Sequence, residues 1–333
     1  HIPYQMVFAG IRRGQGTQSS PPIDTLDYQI FRIYQDQALG LLELPTSRTR
    51  RWEFNAGYTH YGFDLESLQI YFNQFGQELG NERVDLEEPP GFEDDLHMGQ
   101  VSVAWVGDWS NFGFTSPVRG GRFRFEASPM FGDHNVVNAL ADYRRYFYNY
   151  PFTLAMRGMH YGRYGPDAES GNRLFNQRVP LYYETFIRGY ARESWEPQNE
   201  CGSDPRCAVL SRLLGSKIAV ANLEMRVPLF GVPEFGLINF PFLPTELSAF
   251  FDAGLAWNSQ EYCDNAAADG FDVLECAPTF EWDNLEARTP VASTGLSARV
   301  NVLGFMVLEA YYAYPFQRPD KGWHFGFNIA PGW

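Results

Sequence analysis

The chain closes on Lys321-Gly-Trp-His-Phe-Gly-Phe-Asn-Ile-Ala-Pro-Gly-Trp333, and the fold turns on how these residues are read. Counting back from Trp333 in twos gives Pro331, Ile329, Phe327, Phe325 and Trp323; between them lie Gly332, Ala330, Asn328, Gly326 and His324. One face is apolar and heavily aromatic, the other small or polar. Side chains alternate across a strand, so about ten residues of this kind fit a membrane-crossing strand with lipid outside and water inside. An edge strand of a soluble sandwich carries the same local pattern, and the rest of the chain has to separate the two.

Aromatic residues make up 17% of the chain, with 19 Tyr and 28 Phe, a high share for a soluble enzyme. The mean hydropathy is nonetheless below zero, and no apolar run approaches the roughly 18 residues of a membrane helix. Many aromatics without hydropathy is what a transmembrane barrel produces, because half of each strand faces water. A formal net charge of −14 argues against nucleic acid as a partner. A dense block of that acid, 7 of 40 residues, sits between Glu82 and Asp95 and describes a loop.

The 4 cysteines fall in two close pairs, Cys201 with Cys207 and Cys263 with Cys276, in stretches rich in Gly, Asp, Asn and Pro. Local pairs in loops suggest disulfides made in an oxidising compartment. Zinc is the rival, but CxxC spacing is missing and no His lies near either pair. The chain begins at His1, with neither Met nor signal peptide, part-way through a strand-like stretch. It reads as a piece of a longer precursor.

No long helical period stands out, and period-two alternation recurs. Strands are expected at 26–45, 50–62, 65–75 after a tight turn, 79–86, 98–109, 121–128, 135–148 and 151–164. They return at 216–229, 247–257, 292–303, 305–315 and 323–333, with 2–9 as the tail of another. Phe123, Phe125 and Ala127 share one face of 121–128, and Arg122, Arg124 and Glu126 the other. Alternating charge of this kind needs a wet lumen, because unpaired charge in a dry core is prohibitive. Short turns alternating with long loops complete the pattern. The chain therefore reads as one all-β domain over 1–333, a transmembrane antiparallel β-barrel, with 165–214 as a long excursion.

That excursion contains Ile187-Arg188-Gly189-Tyr190. Asn222-Leu223-Glu224-Met225-Arg226 and Phe250-Phe251-Asp252-Ala253-Gly254 lie in the two strands that follow. By parity Leu223, Met225 and Val227 face lipid and Glu224 the lumen; Phe251, Ala253 and Leu255 face lipid and Asp252 the lumen. Two carboxylates on neighbouring strands want a cation, and Arg188 can offer a planar fork of donors to both.

With these residues the chain resembles the BamA/TamA superfamily of outer-membrane assembly and secretion barrels, the surface-antigen type of barrel domain. The resemblance covers most of 98–333. It includes the Gly/Pro turn before Gly121, Arg188-Gly189-Tyr190, the Glu224 and Asp252 strands, Ala313-Tyr-Pro-Phe316 and the Phe325-x-Phe327-Asn-Ile329 close. It implies a barrel of about 16 strands, with 13 to 14 of them in this chain and the first two absent, so that 98–109 is the eighth, 26–45 the fourth and 2–9 the end of the third. It implies that 165–214 comes from the extracellular side and tucks into the lumen, where Glu224 and Asp252 hold Arg188. Trp323, Phe325, Phe327, Ile329 and Trp333 would form the outward face of a recognition signal. The final strand would run from the outer face to the periplasm, its free edge turned toward a first strand this chain lacks. Implied partners are outer-membrane lipid, unfolded outer-membrane protein clients and periplasmic or lipoprotein partners. The implied location is the outer membrane of a Gram-negative-type bacterium. The implied function is insertion or translocation of β-rich proteins; the alternatives are a barrel that anchors a periplasmic module and a passive channel.

No GxSxG, HExxH, P-loop or dinucleotide fingerprint appears, and the 6 His are scattered at 1, 60, 97, 134, 160 and 324. The expectation is no enzyme, no catalytic residue, no metal and no cofactor. The Glu87–Asp95 block could hold Ca²⁺ but lacks ordered ligand spacing and reads as a solvated loop.

Overall fold

Alternating stretches become one 15-stranded sheet in the computed structural model of the protein. The structure describes residues 2–13, 23–87, 95–169, 178–196, 200, 210, 212–232, 236–259, 263–264, 288–318 and 320–329. Among these residues, 12 strands follow one another along a single antiparallel path. They are β1 (Ile2–Arg12), β2 (Asp24–Ser47), β3 (Arg50–Phe72), β4 (Leu96–Asp108), β5 (Pro117–Gly132) and β6 (Val136–Asn149). The path continues through β7 (Phe152–Tyr164), β8 (Lys217–Gly231), β9 (Thr245–Trp257), β10 (Val291–Val302), β11 (Met306–Pro315) and β12 (His324–Ile329). No described helix is long and apolar enough to cross a membrane, which says nothing of strands.

Two expectations change. The tight turn near residue 63 does not form: β3 is one strand of 23 residues. Across that point Arg32 of β2 binds Asp64 at 2.8 Å and also Glu66, so paired charges carry the chain straight on. The strand expected at 79–86 is present as Glu78–Asp85, but it folds back onto the far end of β3 beside the main path. Counted back from β12 as sixteenth, β4 remains eighth, while β2 is sixth and β1 fifth instead of fourth and third.

The alternation has a physical origin visible in β8. Ile218, Val220, Asn222, Glu224 and Arg226 are buried inside, while Leu223 and Met225 project outward and exposed. The same parity exposes Leu247 and Phe251 of β9 and buries Glu246, Ser248, Phe250 and Asp252. Outward apolar and inward polar is stable only where the outer medium is hydrocarbon. The inward charges are paired: Arg124 holds Glu53 at 2.8 Å and Glu126 at 2.7 Å, and Asp142 takes Arg144 at 2.6 Å and Arg157 at 3.0 Å.

The sheet curls on itself. The turn between β4 and β5 reaches strands three to five places further along the path: Ser116 Oγ donates to Glu246 of β9 at 2.8 Å, Arg226 of β8 to Pro117 O at 3.2 Å, and Asn301 of β10 to Phe114 O. The links at 48–49, 109–116, 150–151, 232–244 and 303–305 share one end of the barrel. The long connections that follow Tyr164 and Trp257 leave from the other. These are called below the turn end and the loop end.

Candidate functional site

Register places the lumen groups before any loop arrives. In the β8–β9 ladder Asn222 faces Asp252 and Glu224 faces Phe250; in the β10–β11 ladder Arg299 faces Glu309. These residues share the inner face, so carboxylates and rings from four successive strands converge. A charge so far from water needs a partner on every side.

Arg188, on the connection between β7 and β8, enters this nest and is 3% exposed. Its Nε and Nη2 donate to the two oxygens of Asp252 at 2.8 and 2.9 Å, and its backbone N–H adds a third bond to Asp252 at 3.2 Å. Nη1 lies 2.6 Å from Glu224 Oε1 and 3.2 Å from Glu309 Oε1. The guanidinium carbon sits 3.6 Å over the Phe250 ring. A planar fork meets a carboxylate edge-on and an aromatic face flat, which lysine cannot do.

Glu224 is the hub. Arg299 grips both its oxygens at 2.9 and 3.0 Å, and Arg226 Nε reaches it at 2.7 Å. Arg299 also meets Glu309 at 3.0 Å and Glu246 at 3.6 Å. Glu246 accepts Ser116 Oγ from the turn end. One chain of contacts therefore runs from the inward loop to the β4–β5 turn.

Beside Arg188 the loop packs tightly on β11. Gly189 has φ +85, and a Cβ there would lie 3.2 Å from Ala313 Cβ, so both backbone shape and space call for glycine. The Tyr190 ring is fully buried. Its hydroxyl lies 3.0 Å from Gln317 Oε1 and 3.2 Å from Ala292 O, and accepts from Gln317 N at 3.1 Å. Arg318 donates to Gly189 O and Ser194 O, pairs with Glu200 at 2.7 Å and stacks 4.0 Å over Trp195. Further ties are Asn222 Nδ2 to Phe186 O at 2.7 Å, Arg157 to Thr185 O at 2.9 Å and Tyr311 to Glu184 at 2.7 Å. Burial raises the Glu184 carboxyl above its ordinary value. Leu181, Ile187, Tyr190 and Leu213 form an apolar cluster with Ile218, Val220, Ala256 and Val291 of the wall.

Of the residues singled out in the sequence, the structure brings Arg188, Gly189, Tyr190, Glu224 and Asp252 together. Phe250, Arg226, Arg299, Glu309, Gln317 and Arg318 were not singled out. Arg226 sits two residues from Glu224, and that spacing on one strand face was a readable signal. Nothing local marks Arg299 or Glu309, which register alone brings opposite each other.

Trp323, Phe325, Phe327 and Ile329 are all exposed, with Trp323 stacked on Tyr312 at 5.0 Å. Strand β12 ends at Ile329, and Trp333 lies outside the described residues. Cys263 is buried and disulfide-bonded; Cys201, Cys207 and Cys276 lie outside the described residues, as does most of the acidic block, 88–94. Among the described residues no group of three or more His, Cys, Asp or Glu side chains is arranged to hold a metal ion.

A curled antiparallel sheet, lipid-type side chains outside and a charged lumen filled by one of its own loops define a transmembrane β-barrel with an internal stopper. The Omp85 superfamily domain matches residues 100–331, which include Arg188, Glu224, Asp252, Arg299 and Glu309, and the chain belongs to that superfamily as an outer-membrane barrel. Among solved structures it is similar to BamA from Haemophilus ducreyi lacking POTRA domains 1–3, at 13% identity and a TM-score of 0.49, over 98% of this chain and 68% of that one. No curated protein matches it.

Proposed function

We propose that this barrel inserts or translocates β-rich proteins at the outer membrane, with its turn end in the periplasm and its loop end outside the cell. The observation that carries this reading is the filled lumen. A passive channel needs an open axis, whereas here Arg188, Tyr190 and their neighbours enter it and are tied to four strands of the wall, through Glu224, Asp252, Ala292 O and Glu309. The work then falls to the edge of the sheet. Strand β12 pairs on one side only among the described residues, and an unpaired strand edge is a template for an incoming strand. The proposed clients are unfolded outer-membrane proteins, with periplasmic or lipoprotein partners delivering them and outer-membrane lipid around the wall. The exposed Trp323, Phe325, Phe327 and Ile329 form the outward face of the barrel's own recognition strand. Cys201–Cys207 and Cys263–Cys276 are proposed as disulfides of the outer loops, and no step calls for a catalytic residue or cofactor.

Depletion of the protein tests the reading. The expected result is a fall in several outer-membrane β-barrel proteins while lipoproteins hold steady; unchanged barrel levels would overturn it.

A further inference from the structure

Most lumen arginines, among them 32, 51, 124, 144, 157, 188, 226 and 299, carry a carboxylate partner, and Arg122 is an inward arginine without one among the described residues. On the outer face at the turn end two arginines lie among aromatic rings. Arg145 of β6 shares its face with the exposed Tyr143 and Phe147, and Arg50 of β3 shares its face with the exposed Trp52. Neither arginine has a carboxylate partner among the described residues. Asp108, on the neighbouring strand β4, accepts from Ser110 N and Oγ through Oδ1 at 2.9 and 2.6 Å and forms no ion pair with either arginine.

Arg145 is nevertheless not a loose side chain. Its guanidinium lies 5.8 Å from the Trp109 ring and 5.3 Å from the Phe147 ring. Opposite it in the ladder is Gly121, where a Cβ would stand 3.0 Å from Trp109 Cζ2 and 3.3 Å from Arg145 Cδ. The missing side chain makes the floor on which ring and arginine stem lie together. One row along the register, Arg50 faces Gly107, which in turn faces Phe123, and the Trp105, Trp109 and Phe123 rings pack between the two arginines. Arg145 is thus held on an outward-facing aromatic cluster, and register sets Arg50 at the edge of the same cluster. An unpaired arginine is strongly disfavoured at the middle of the bilayer and tolerated at its interface.

We propose that Arg50 and Arg145, with Trp109 and Phe147, bind the phosphate of anionic phospholipid in the membrane leaflet at the turn end. A phosphodiester offers the planar guanidinium two acceptor oxygens, and the rings keep the cation pointed at the headgroup layer. The acyl chains would lie along the outward residues further up the wall, such as Phe125 and Val103. This rests on the membrane-barrel reading and names one lipid class and place for it.

The test uses the full chain in detergent micelles, with lipid retention counted by native mass spectrometry. The probes are phosphatidylglycerol, phosphatidylcholine and inorganic phosphate. The parent is expected to retain phosphatidylglycerol over phosphatidylcholine, and Arg50→Gln/Arg145→Gln to weaken that retention about tenfold, about 1.4 kcal/mol. Trp109→Ala, which keeps both charges, is expected to weaken it about threefold by freeing Arg145. Arg83→Gln, at the loop end, should change nothing. Undiminished retention in the double variant overturns the proposal, as does an equal loss in Arg83→Gln. Full competition by inorganic phosphate at equal concentration would assign the site to free phosphate and overturn the lipid. A chain that stays monodisperse without detergent would sink the membrane reading itself; a heat-modifiable, detergent-held barrel with unchanged lipid binding sinks this site alone.

Discussion

Arg188 shows how much one side chain can be asked to hold. It satisfies Asp252 with both prongs, shares Glu224 with Arg226 and Arg299, and covers the Phe250 ring. Removing one member of such a group leaves buried carboxylates uncompensated, a loss of about 3–5 kcal/mol. Arg188→Ala is therefore expected to loosen the loop, read as faster limited proteolysis within 170–212. Cleavage no faster than in the parent would count against the lock. Arg188→Lys keeps the charge but neither the fork nor the stacking, and should fall between the two. At the loop end, Glu169 accepts from Ser216 and Ser259 and lies 3.6 Å from Lys217. Burial alone would raise its pKa, but the hydrogen bonds from Ser216 and Ser259 outweigh burial and hold it below the ordinary 4.5. A depressed carboxyl contributes stability in full above that ordinary value and loses it as the pH falls through the depressed one. Relative to a free amide at the same pH, hydrogen exchange at 165–169 and 258–259 should accordingly stay slow from neutral pH down to about 5 and quicken only below 4.5. Quickening already at pH 6 would point to another group.

At the scale of an element, β12 is defined by parity more than by length. Phe325 and Phe327 project outward, while His324 and Asn328 lie on the face that meets Tyr311 and Glu309 of β11. Phe327→Arg therefore puts charge into lipid, at about 2–4 kcal/mol if the position lies at mid-bilayer. Asn328→Arg places the same charge beside Glu309 and should cost little. Urea titration of the barrel in vesicles distinguishes them; equal destabilisation would mean the strand's faces are misassigned. Strand β3 teaches the opposite lesson. Gly62, Asp64 and the changed polarity near them read as a turn, yet cross-strand pairs with Arg32 keep the chain extended.

For the whole molecule, the notable arrangement is that two plugs from opposite ends meet one network. The inward loop brings Arg188 to Glu224, Arg299 joins Glu224 to Glu246, and Glu246 holds Ser116 of the β4–β5 turn. The inward loop and the turn are thereby tied to each other through the wall. Deletion of 170–212 is expected to raise planar-bilayer conductance sharply from near zero, with residual obstruction from the 109–116 turn. A parent that already conducts like an open pore, unchanged by the deletion, would favour the passive-channel reading.

What the sequence by itself determined was the class and the outline of the lock. Period-two alternation with aromatic outer faces records the medium on each side of the wall, a local property written residue by residue. The parity of Glu224 and Asp252 is likewise local, and so was legible. Tertiary structure alone decided the rest of the network. Arg299 and Glu309 meet because of strand register, Phe250 underlies Arg188 because of ladder pairing, and Ser116 reaches Glu246 only because the sheet curls. Parity also marks arginines 50 and 145 as outward, but the rings gathered around Arg145 follow from strand register. Register and curvature sum over many strands, so no single stretch of the chain contains them.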